Sequence, residues 1–274
     1  MRRDNPVIIC VAPNGARKNK NDHPHIPISP DELASEAESC LKAGASMMHL
    51  HVRDENSQHT IDPDRYRAAI KAIRDKVGDG LIIQATTEAV GIYTAEQQMD
   101  AVRNLKPEAV SLGLCELCPE GGEEIAAEFF KWLLDNKIAA QYILYSVHDI
   151  ARFISLHNQG VIPDVRPHIL FVLGRYSKGM TSEPEDLLPM IDALGDFKAD
   201  WAVCAFGAKE ADCATLAVQH GGHCRIGFEN NMLLPNGTIA PDNTALINSL
   251  TGRISAFEYN ISKPIEARQI LRME

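Results

Sequence analysis

Eight short apolar runs recur along the chain, and each is followed by a longer amphipathic stretch. The runs are rich in Val, Ile, Leu and Ala, which is typical of strands that are buried on both faces. We expect these strands at 6–12, 46–52, 81–85, 109–112, 139–144, 168–173, 201–206 and 223–228. Strands that alternate with helices through short loops are parallel and are joined by right-handed crossovers.

The stretches between the runs carry the start and stop signals of helices. The segment 29–32 (Ser-Pro-Asp-Glu) combines an N-cap, a proline at the first helical position and a capping-box acid, and Gly44 ends the helix that this segment opens. Asp62 and Pro63 open the next helix. Capping residues of the same kind stand at Thr94, Ser146 and Ser182. Further helices are expected near 121–135, 208–219 and 241–251, and an extra C-terminal helix near 263–272.

Eight strand–helix units in about 250 residues favour a (β/α)8 TIM barrel. We therefore predict an α/β fold in which residues 1–274 form a single barrel domain with an extra C-terminal helix. A doubly wound open sheet is the alternative architecture. The segment 12–15 (Ala-Pro-Asn-Gly) after the first run lacks the Gly-x-Gly-x-x-Gly fingerprint, which weakens a dinucleotide-binding interpretation.

Composition narrows the functional classes. The 274 residues include 27 Lys and Arg against 37 Asp and Glu, so the formal net charge is −10 and the surface as a whole repels nucleic acid and anionic membranes. No apolar run approaches the roughly 18 residues that span a bilayer, and the stretch 7–11 is too short for a signal-peptide core. Seven scattered cysteines favour a reducing compartment, so we expect a cytoplasmic protein with free thiols.

The strongest chemical signal is the segment 48–54 (Met-His-Leu-His-Val-Arg-Asp) at the end of the second run. Functional groups of a barrel lie at the C-terminal ends of its strands. Alternation along a strand places His49, His51 and Arg53 on one face. Two imidazoles at this spacing can share a metal ion, and zinc commonly takes nitrogen ligands. Two ordinary core or surface histidines are the alternative.

The last run continues through 223–231 (His-Cys-Arg-Ile-Gly-Phe-Glu-Asn-Asn), where alternation places Arg225 and Glu229 on one face. The eighth strand of a barrel neighbours the first, and the second strand lies one further round. Glu229 can therefore reach His49 and His51 across the mouth. A His2Glu set leaves one zinc position open for a substrate. Alternatively, Glu229 merely pairs with Arg225 or with Arg53.

Two other pairs have weaker contexts for metal binding. His23 and His25 repeat the His-x-His spacing in a polar, proline-rich loop, where we expect solvated side chains. Cys115 and Cys118 lack the second pair that a structural zinc site needs, so we interpret them as loop thiols.

Groups that bind anions are also present at predicted strand ends. Thr86 and Thr87 follow the third run, where their hydroxyls either bind a carboxylate or cap the next helix. Arg175 and Lys178 after the sixth run, and the glycines at 221–222 before the last run, are candidate contacts to phosphate.

Three segments, 26–34, 42–54 and 221–231, resemble the β-keto acid cleavage enzymes, and the resemblance extends over nearly the whole chain. It implies a zinc-dependent (β/α)8 barrel, usually a homo-oligomer, that converts a β-keto acid and acetyl-CoA into acetoacetate and a new CoA thioester. Its implied zinc ligands are His49, His51 and Glu229, and its implied catalytic arginine is Arg225. The residues that it assigns to the substrate carboxylate are Thr86, Thr87 and Ser111. Zinc on the keto oxygen would stabilise the enolate that carbon–carbon cleavage produces.

The sequence departs from this family at several positions. Asn230 stands where the family has an acid that acts with the arginine as base, and an amide cannot accept a proton near neutral pH. Asn14 replaces a glutamate of the amino-keto-acid enzymes, and Gln141-Tyr142 replaces their Pro-Glu pair. Glu88 occupies a position at which the family usually has glycine.

Two hypotheses follow from these departures. The loss of acids at Asn14 and Tyr142 removes partners for a substrate ammonium, so the substrate is not expected to be the 5-amino compound. Glu88 is expected to supply the carboxylate that is missing at Asn230. We therefore predict Arg225, Asn230 and Glu88 as catalytic residues, and we predict substrate binding by Asn14, Thr86, Thr87, Ser111 and Arg53.

Two alternative functions stay open at this point. One is another metal-dependent barrel lyase or hydrolase that uses no CoA, and the other is a non-catalytic binding protein on the same scaffold, which the change at Asn230 keeps open. The leading prediction requires an anionic keto acid and CoA to approach an acidic protein. We therefore expect Arg53, Arg175, Lys178 and Arg225 to form a local positive mouth.

Overall fold

A computed structural model describes residues 6–273 and has eight parallel strands in a closed barrel. The strands are β1 (Ile9–Val11), β2 (Met47–Leu50), β5 (Ile82–Thr86), β6 (Ala109–Gly113), β7 (Ala139–Leu144), β8 (His168–Leu173), β9 (Asp200–Ala205) and β10 (His223–Ile226), while β3 (Val52–Arg53) and β4 (His59–Thr60) form a separate antiparallel ribbon. The order β1-β10-β9-β8-β7-β6-β5-β2 closes because β1 pairs with both β10 and β2. The barrel prediction is confirmed, and the open sheet is wrong. Residues 1–5 and 274 of the predicted domain lie outside the described residues.

Helices connect the strands on the outside of the barrel. They are α1 (Pro30–Ala43), α2 (Pro63–Val77), α3 (Ala95–Leu105), α4 (Leu114–Leu117), α5 (Glu123–Asp135), α6 (Val147–Asn158), α7 (Leu188–Leu194), α8 (Glu210–Gln219), α9 (Asn243–Ala256) and the extra C-terminal α10 (Pro264–Ile270), with a 3-10 turn at Pro184–Leu187. Among these described helices, none is both long and apolar enough to span a bilayer.

Local capping signals fix most helix ends as the sequence predicts. Ser29 and Thr94 each form a capping box with the residue three positions on, and Ser146 accepts a hydrogen bond from the backbone of its own helix. Gly44 ends α1 in the left-handed region, at φ 112°. The capping prediction for Ser182 is wrong, because its buried hydroxyl instead donates to the carbonyl of Phe206, at 2.8 Å.

The barrel interior is apolar at the lower end, where the strands begin, and polar closer to the C-terminal strand ends. Ile8, Met47 and Ile82 fill the lower end together with Ala267 of α10, which packs there as a plug. Above them Gln84 Nε2 donates to Gln141 Oε1, at 3.1 Å, across the intervening strand β6. A second, larger core lies between the strands and the helices. The extra helix therefore closes the end of the barrel that is opposite to the C-terminal strand ends.

Two predicted strands end earlier than expected, and both lead into chemically important turns. The run 46–52 leaves the barrel after Leu50, and Arg53 belongs to the β3–β4 ribbon. The run 223–228 ends at Ile226, because Gly227 adopts φ 140° and lies against the carbonyl of Ala12. A Cβ at position 227 would stand 2.4 Å from that oxygen. Simple alternation along a strand therefore does not extend to His51, Arg53 or Glu229.

Candidate metal centre and active site

Three side chains from two regions of the chain converge at the C-terminal mouth of the barrel. His49 lies in β2, and His51 follows directly after that strand. Glu229 lies in the turn after β10, and its backbone N–H donates to the carbonyl of Ala12, at 3.1 Å, which fixes the turn over β1. Because β1 lies between β10 and β2, this turn brings Glu229 to the two histidines.

The three ligand atoms form a small triangle. His49 Nε2 lies 3.1 Å from His51 Nε2, and Glu229 Oε2 lies 3.5 Å from the former and 3.4 Å from the latter. A tetrahedral ion that holds such atoms at roughly 2.0–2.1 Å would separate them by about 3.3 Å. Among the described residues, Glu229 Oε2 is a buried oxygen without a hydrogen-bond partner. The triangle therefore has the size and the donor atoms that a tetrahedral metal ion requires.

The protonation states of the triad also suit a cation. Burial lowers the pKa of His49 to about 4, and it lowers the pKa of His51 well below the usual value. Burial opposes ionisation of Glu229, but Arg225, His49 and His51 together outweigh it and hold the pKa of that carboxyl well below its usual range. Two neutral imidazoles and one carboxylate at neutral pH are a common ligand set of zinc.

Polar neighbours orient both imidazoles with their Nε2 atoms toward the triangle. His49 Nδ1 donates to Gln84 Oε1, at 2.8 Å. His59 Nε2 donates to the carbonyl of Glu88, at 2.9 Å, so His59 Nδ1 is free to accept from His51 Nδ1, at 3.5 Å. Sequence reasoning missed both supporting groups. Alternation in β5 could have placed Gln84 inward two residues before Thr86, whereas nothing local signals His59.

Arg225 stands beside the triad within the barrel. Its Nη2 donates to Glu229 Oε1, at 3.1 Å, and to Cys204 Sγ, at 3.2 Å. Its Nε is buried and has no hydrogen-bond partner among the described residues. Asn230 does not line the cavity that is described below. Its amide instead contacts Cys204 Sγ and Glu210 Oε1, each at 3.2 Å. Sequence reasoning missed both Cys204 and Glu210, which carry no motif of their own.

A cavity of about 250 Å³ opens above the triad. Its lining includes Asn14, Arg17, Glu88, Arg175, Phe206 and Glu229. A narrower space of about 30 Å³, which shares several of these residues, includes His49, Thr86 and Arg225. Arg17 and Lys18 contribute cations that the sequence analysis missed, since they lie in the loop after β1.

The predicted acid Glu88 lies at this cavity. Its Oε1 accepts from Arg175 Nη2, at 3.0 Å, and its Oε2 lies 4.0 Å from His51 Nε2. Thr86 Oγ1 accepts from the backbone N–H of Glu88, at 3.1 Å. Glu88 is therefore close to the triad and also ion-paired with one of the predicted mouth cations.

The other predicted substrate contacts differ in where they point. Asn14 Oδ1 and Ser111 Oγ are buried and have no partner among the described residues, but only Asn14 belongs to the cavity lining. Thr87 Oγ1 instead donates to the carbonyl of Ser111, at 3.3 Å. Arg53 donates to the carbonyls of Gly15 and Lys18, which makes it a support of the loop after β1 rather than a residue of the cavity lining.

Three further sequence interpretations need correction or restatement. Tyr142 points into the helical layer, packs against Phe130 and donates to Asp164 Oδ2, at 2.8 Å, so an exchange at position 142 carries no information about the substrate. His23 is buried against Phe228 rather than solvated. Cys115 is exposed, whereas Cys118 is buried beside Arg152.

Comparison with known proteins agrees with this geometry. The profile of a family described as beta-keto acid cleavage enzyme matches residues 6–273. The chain is 34% identical to a 3-keto-5-aminohexanoate cleavage enzyme of Fusobacterium nucleatum, over 98% of both chains. It is 28% identical to a 3-oxoadipate:acetyl-CoA acetyltransferase of Cupriavidus necator, over 97% of this chain and 94% of the other. The solved structure of ObcA with oxaloacetate is similar in fold, with a TM-score of 0.75 at 14% identity, over 91% of this chain and 67% of that one.

Proposed function

The chain belongs to the β-keto acid cleavage enzymes, and we propose that it converts a β-keto acid and acetyl-CoA into acetoacetate and a new CoA thioester. In this reaction the bond between the keto carbon and the CH2COO⁻ unit breaks. That unit joins the acetyl carbon, and the CoA sulfur takes the remaining acyl group. The observation that carries the proposal is the His49–His51–Glu229 triangle, which opens into a cavity with cations at its rim.

We propose zinc as the metal of this triangle. The support is the donor set, two neutral imidazole nitrogens and one carboxylate oxygen, together with the partnerless buried Oε2 of Glu229. When bound, the ion would supply Lewis-acid polarisation of the keto oxygen. Gln84 and His59 would keep the ligand nitrogens free of protons on the side that faces the ion.

The remaining polar groups can hold the anionic parts of the reaction. Arg225 Nε has no partner within the described protein, so it can donate to an anionic oxygen of the substrate or of an enolate. Ser111 Oγ and the narrower space beside Thr86 support a carboxylate position at the ends of β5 and β6. Thr87, whose hydroxyl is already engaged, contributes to this position through its contact with the carbonyl of Ser111.

We propose Glu88 as the general base. It lines the cavity, whereas Asn230 cannot accept a proton and faces away from it. Replacement of Glu88 by Gln should lower kcat by about a hundredfold with little change in metal content, since general bases contribute 10²–10⁴-fold. Unchanged turnover in Glu88→Gln on a working substrate would show that the base lies elsewhere.

The proposed substrate has no ammonium group on its tail. Three acids belong to the described cavity lining, and each is already engaged: Glu88 pairs with Arg175, the triad member Glu229 pairs with Arg225, and Asp22 accepts the backbone N–H of Asn19, at 2.8 Å. Asn14 offers only a neutral oxygen to the cavity. The proposal fails if 3-keto-5-aminohexanoate is the best substrate in a panel of β-keto acids.

A mass-spectrometric screen tests the reaction directly. The purified zinc-loaded protein is incubated with acetyl-CoA and a panel of β-keto acids, with and without a chelator. We expect acetoacetate and one new thioester in equal amounts, and we expect both to disappear with the chelator. Turnover without CoA would favour another lyase or hydrolase, and bound metal without any turnover would favour a binding protein.

Substitution of the acidic ligand tests the metal centre separately. Glu229→Gln removes the charge but keeps the size, and we expect at least a tenfold loss of zinc affinity together with loss of turnover. His25→Ala is the matched control, because His25 belongs to the other His-x-His pair and is exposed. Equal zinc content in the Glu229→Gln variant and the wild type would contradict the assignment.

We also propose that the protein is a homo-oligomer, as is usual in the family that it resembles. Light scattering of the purified protein across a dilution series tests this. A mass of 30.2 kDa at every concentration would contradict it.

A further inference from the structure

One buried acid near the site has no part in the reaction described above. Glu210 is the first residue of α8 and is only 2% exposed. Its two carboxyl oxygens accept three N–H donors, from the backbone of Gly227 at 3.0 Å and from the side chains of Asn230 at 3.2 Å and Asn231 at 3.3 Å. All three donors belong to the turn that carries the proposed metal ligand Glu229.

The contacts continue from Glu210 to the catalytic arginine. Asn230 Nδ2 donates to Glu210 Oε1, Cys204 Sγ donates to Asn230 Oδ1, and Arg225 Nη2 donates to Cys204 Sγ, each at 3.2 Å. The four groups therefore form one chain of hydrogen bonds, in which each group donates to the next from Arg225 to Glu210. All four residues are buried.

The acceptor at Glu210 selects the direction of this chain. Glu210 Oε1 also accepts the backbone N–H of Gly227, at 3.0 Å, so this oxygen acts as an acceptor, and a reversed amide of Asn230 would turn a second acceptor oxygen toward it. With the observed orientation, Asn230 Oδ1 must receive the thiol proton of Cys204. The sulfur lone pairs then remain for Arg225 Nη2, while Arg225 Nε has no hydrogen-bond partner among the described residues.

We propose that Glu210 is a positioning residue for Arg225, which it orients through the amide of Asn230 and the thiol of Cys204. This inference rests on the proposed function only for its kinetic test. It assigns a task to Asn230 that an amide can perform and an ionised acid could not, because the amide both donates to Glu210 and accepts from Cys204, whereas a carboxylate only accepts.

Few charged groups near Glu210 compete with the turn 227–231 for its carboxyl. Lys18 faces it from the loop after β1, but the Lys18 ammonium donates to the carbonyls of Phe228, at 2.6 Å, and Glu229, at 3.1 Å. On the side of α9, the groups that share a small pocket with Glu210 include Leu246 and Leu250. The polar partners of Glu210 are thus concentrated on the turn 227–231.

Two variants break the chain at different points, and a third keeps it. Glu210→Leu removes the acceptor, Asn230→Ala removes the middle of the chain, and Glu210→Gln retains one acceptor oxygen for Asn230. The matched control is Asp164→Leu, because Asp164 Oδ2 likewise accepts from a buried side chain, the hydroxyl of Tyr142, at 2.8 Å, in the helical layer rather than in the turn 227–231.

The first readout is independent of activity. Infrared spectroscopy detects the S–H stretch of buried thiols, and the band of Cys204 is assigned by its loss in Cys204→Ala. We expect this band to move to higher wavenumber in both chain-breaking variants, because the thiol loses its acceptor in Asn230→Ala and that acceptor is no longer held in place in Glu210→Leu. It should stay in place in Glu210→Gln and Asp164→Leu.

The second readout is kinetic and separates positioning from folding. We expect kcat to fall by at least about tenfold in Glu210→Leu and Asn230→Ala, with KM and zinc content within about twofold of the wild type. Glu210→Gln should stay within about threefold of the wild-type kcat, since it keeps the acceptor.

Several results would overturn the proposal. It is wrong if the Cys204 band does not move in either chain-breaking variant, or if Asp164→Leu lowers kcat as much as Glu210→Leu. A loss in Glu210→Gln as large as that in Glu210→Leu would also contradict it, because charge or volume rather than an acceptor would then be needed. If the wild type turns over no β-keto acid, the proposed function fails while the infrared band still decides this inference.

Discussion

At the scale of single residues, the metal triad depends on a side chain that lies outside it. Gln84 Oε1 accepts the Nδ1 proton of His49, at 2.8 Å, and so leaves the opposite nitrogen unprotonated. We expect Gln84→Leu to raise the dissociation constant for zinc by about 10–100-fold, measured by competition with a chromophoric chelator. Gln219→Leu, on the exposed end of α8, is the control. Unchanged zinc affinity in Gln84→Leu would show that Gln84 does not support the metal site.

A second residue-scale prediction concerns the dependence of stability on pH. Burial raises the pKa of Glu210 to about 8 in the folded protein, against an ordinary value of 4.5. The folded state therefore holds this proton more tightly, so the contribution to stability is complete below pH 4.5 and is lost as the pH rises through 8. Its size is on the order of a few kcal/mol.

Urea unfolding across this pH range measures the effect. We expect the wild type to lose stability relative to Glu210→Gln as the pH rises from about 5 to about 9, because the amide does not titrate. Glu128→Gln, at an exposed carboxyl of α5, serves as the comparison. A constant difference between wild type and Glu210→Gln at every pH would contradict the assignment of the titration to Glu210.

At the scale of elements, local signals determine what the sequence can predict. The capping boxes at Ser29 and Thr94 depend on residues three positions apart, and the structure has both. The approach of Glu229 to His49 follows from barrel closure, which also can be derived from the count of units. His59 reaches the site because the β3–β4 ribbon folds back toward His51, and Glu210 reaches it from α8, so no local pattern reveals either residue.

The sequence predicts the ends of two strands too late, and the turn after β10 shows the consequence for the metal site. Gly227 has φ 140°, and a Cβ there would meet the carbonyl oxygen and the backbone nitrogen of Ala12. We expect Gly227→Ala to destabilise the protein by about 1–3 kcal/mol, from backbone strain and the clash together. The same shift should move Glu229 and lower zinc affinity.

Thermal unfolding with and without zinc checks this turn. Zinc should stabilise the wild type clearly more than Gly227→Ala, because binding to the folded state alone shifts the unfolding equilibrium. Gly237→Ala is the control, since Gly237 also has a positive φ but no atom would lie within 4 Å of its Cβ. Equal stabilisation by zinc in the wild type and Gly227→Ala would mean that the turn does not set the position of Glu229.

At the scale of the whole molecule, the net charge of −10 and the proposed anionic substrates oppose each other. The cavity lining is less acidic than the protein as a whole, because Arg17, Lys18 and Arg175 offset the charges of Asp22, Glu88 and Glu229 there. Two of the four cations predicted for the mouth have other surroundings. Arg53 holds the loop after β1, and Lys178 lies on an exposed loop.

This distribution predicts how the enzyme responds to salt. Lys18 is engaged with backbone carbonyls and Arg175 with Glu88, so Arg17 is the cavity cation whose removal disturbs the described contacts least. We expect Arg17→Ala to raise KM for acetyl-CoA by about tenfold at low ionic strength, because a short-range attraction between the guanidinium and an anionic ligand is lost. The difference from the wild type should shrink as salt screens the interaction. Lys178→Ala removes the same charge outside the cavity, and an equal rise in KM in that variant would mean that overall charge, rather than the local mouth, attracts the ligand.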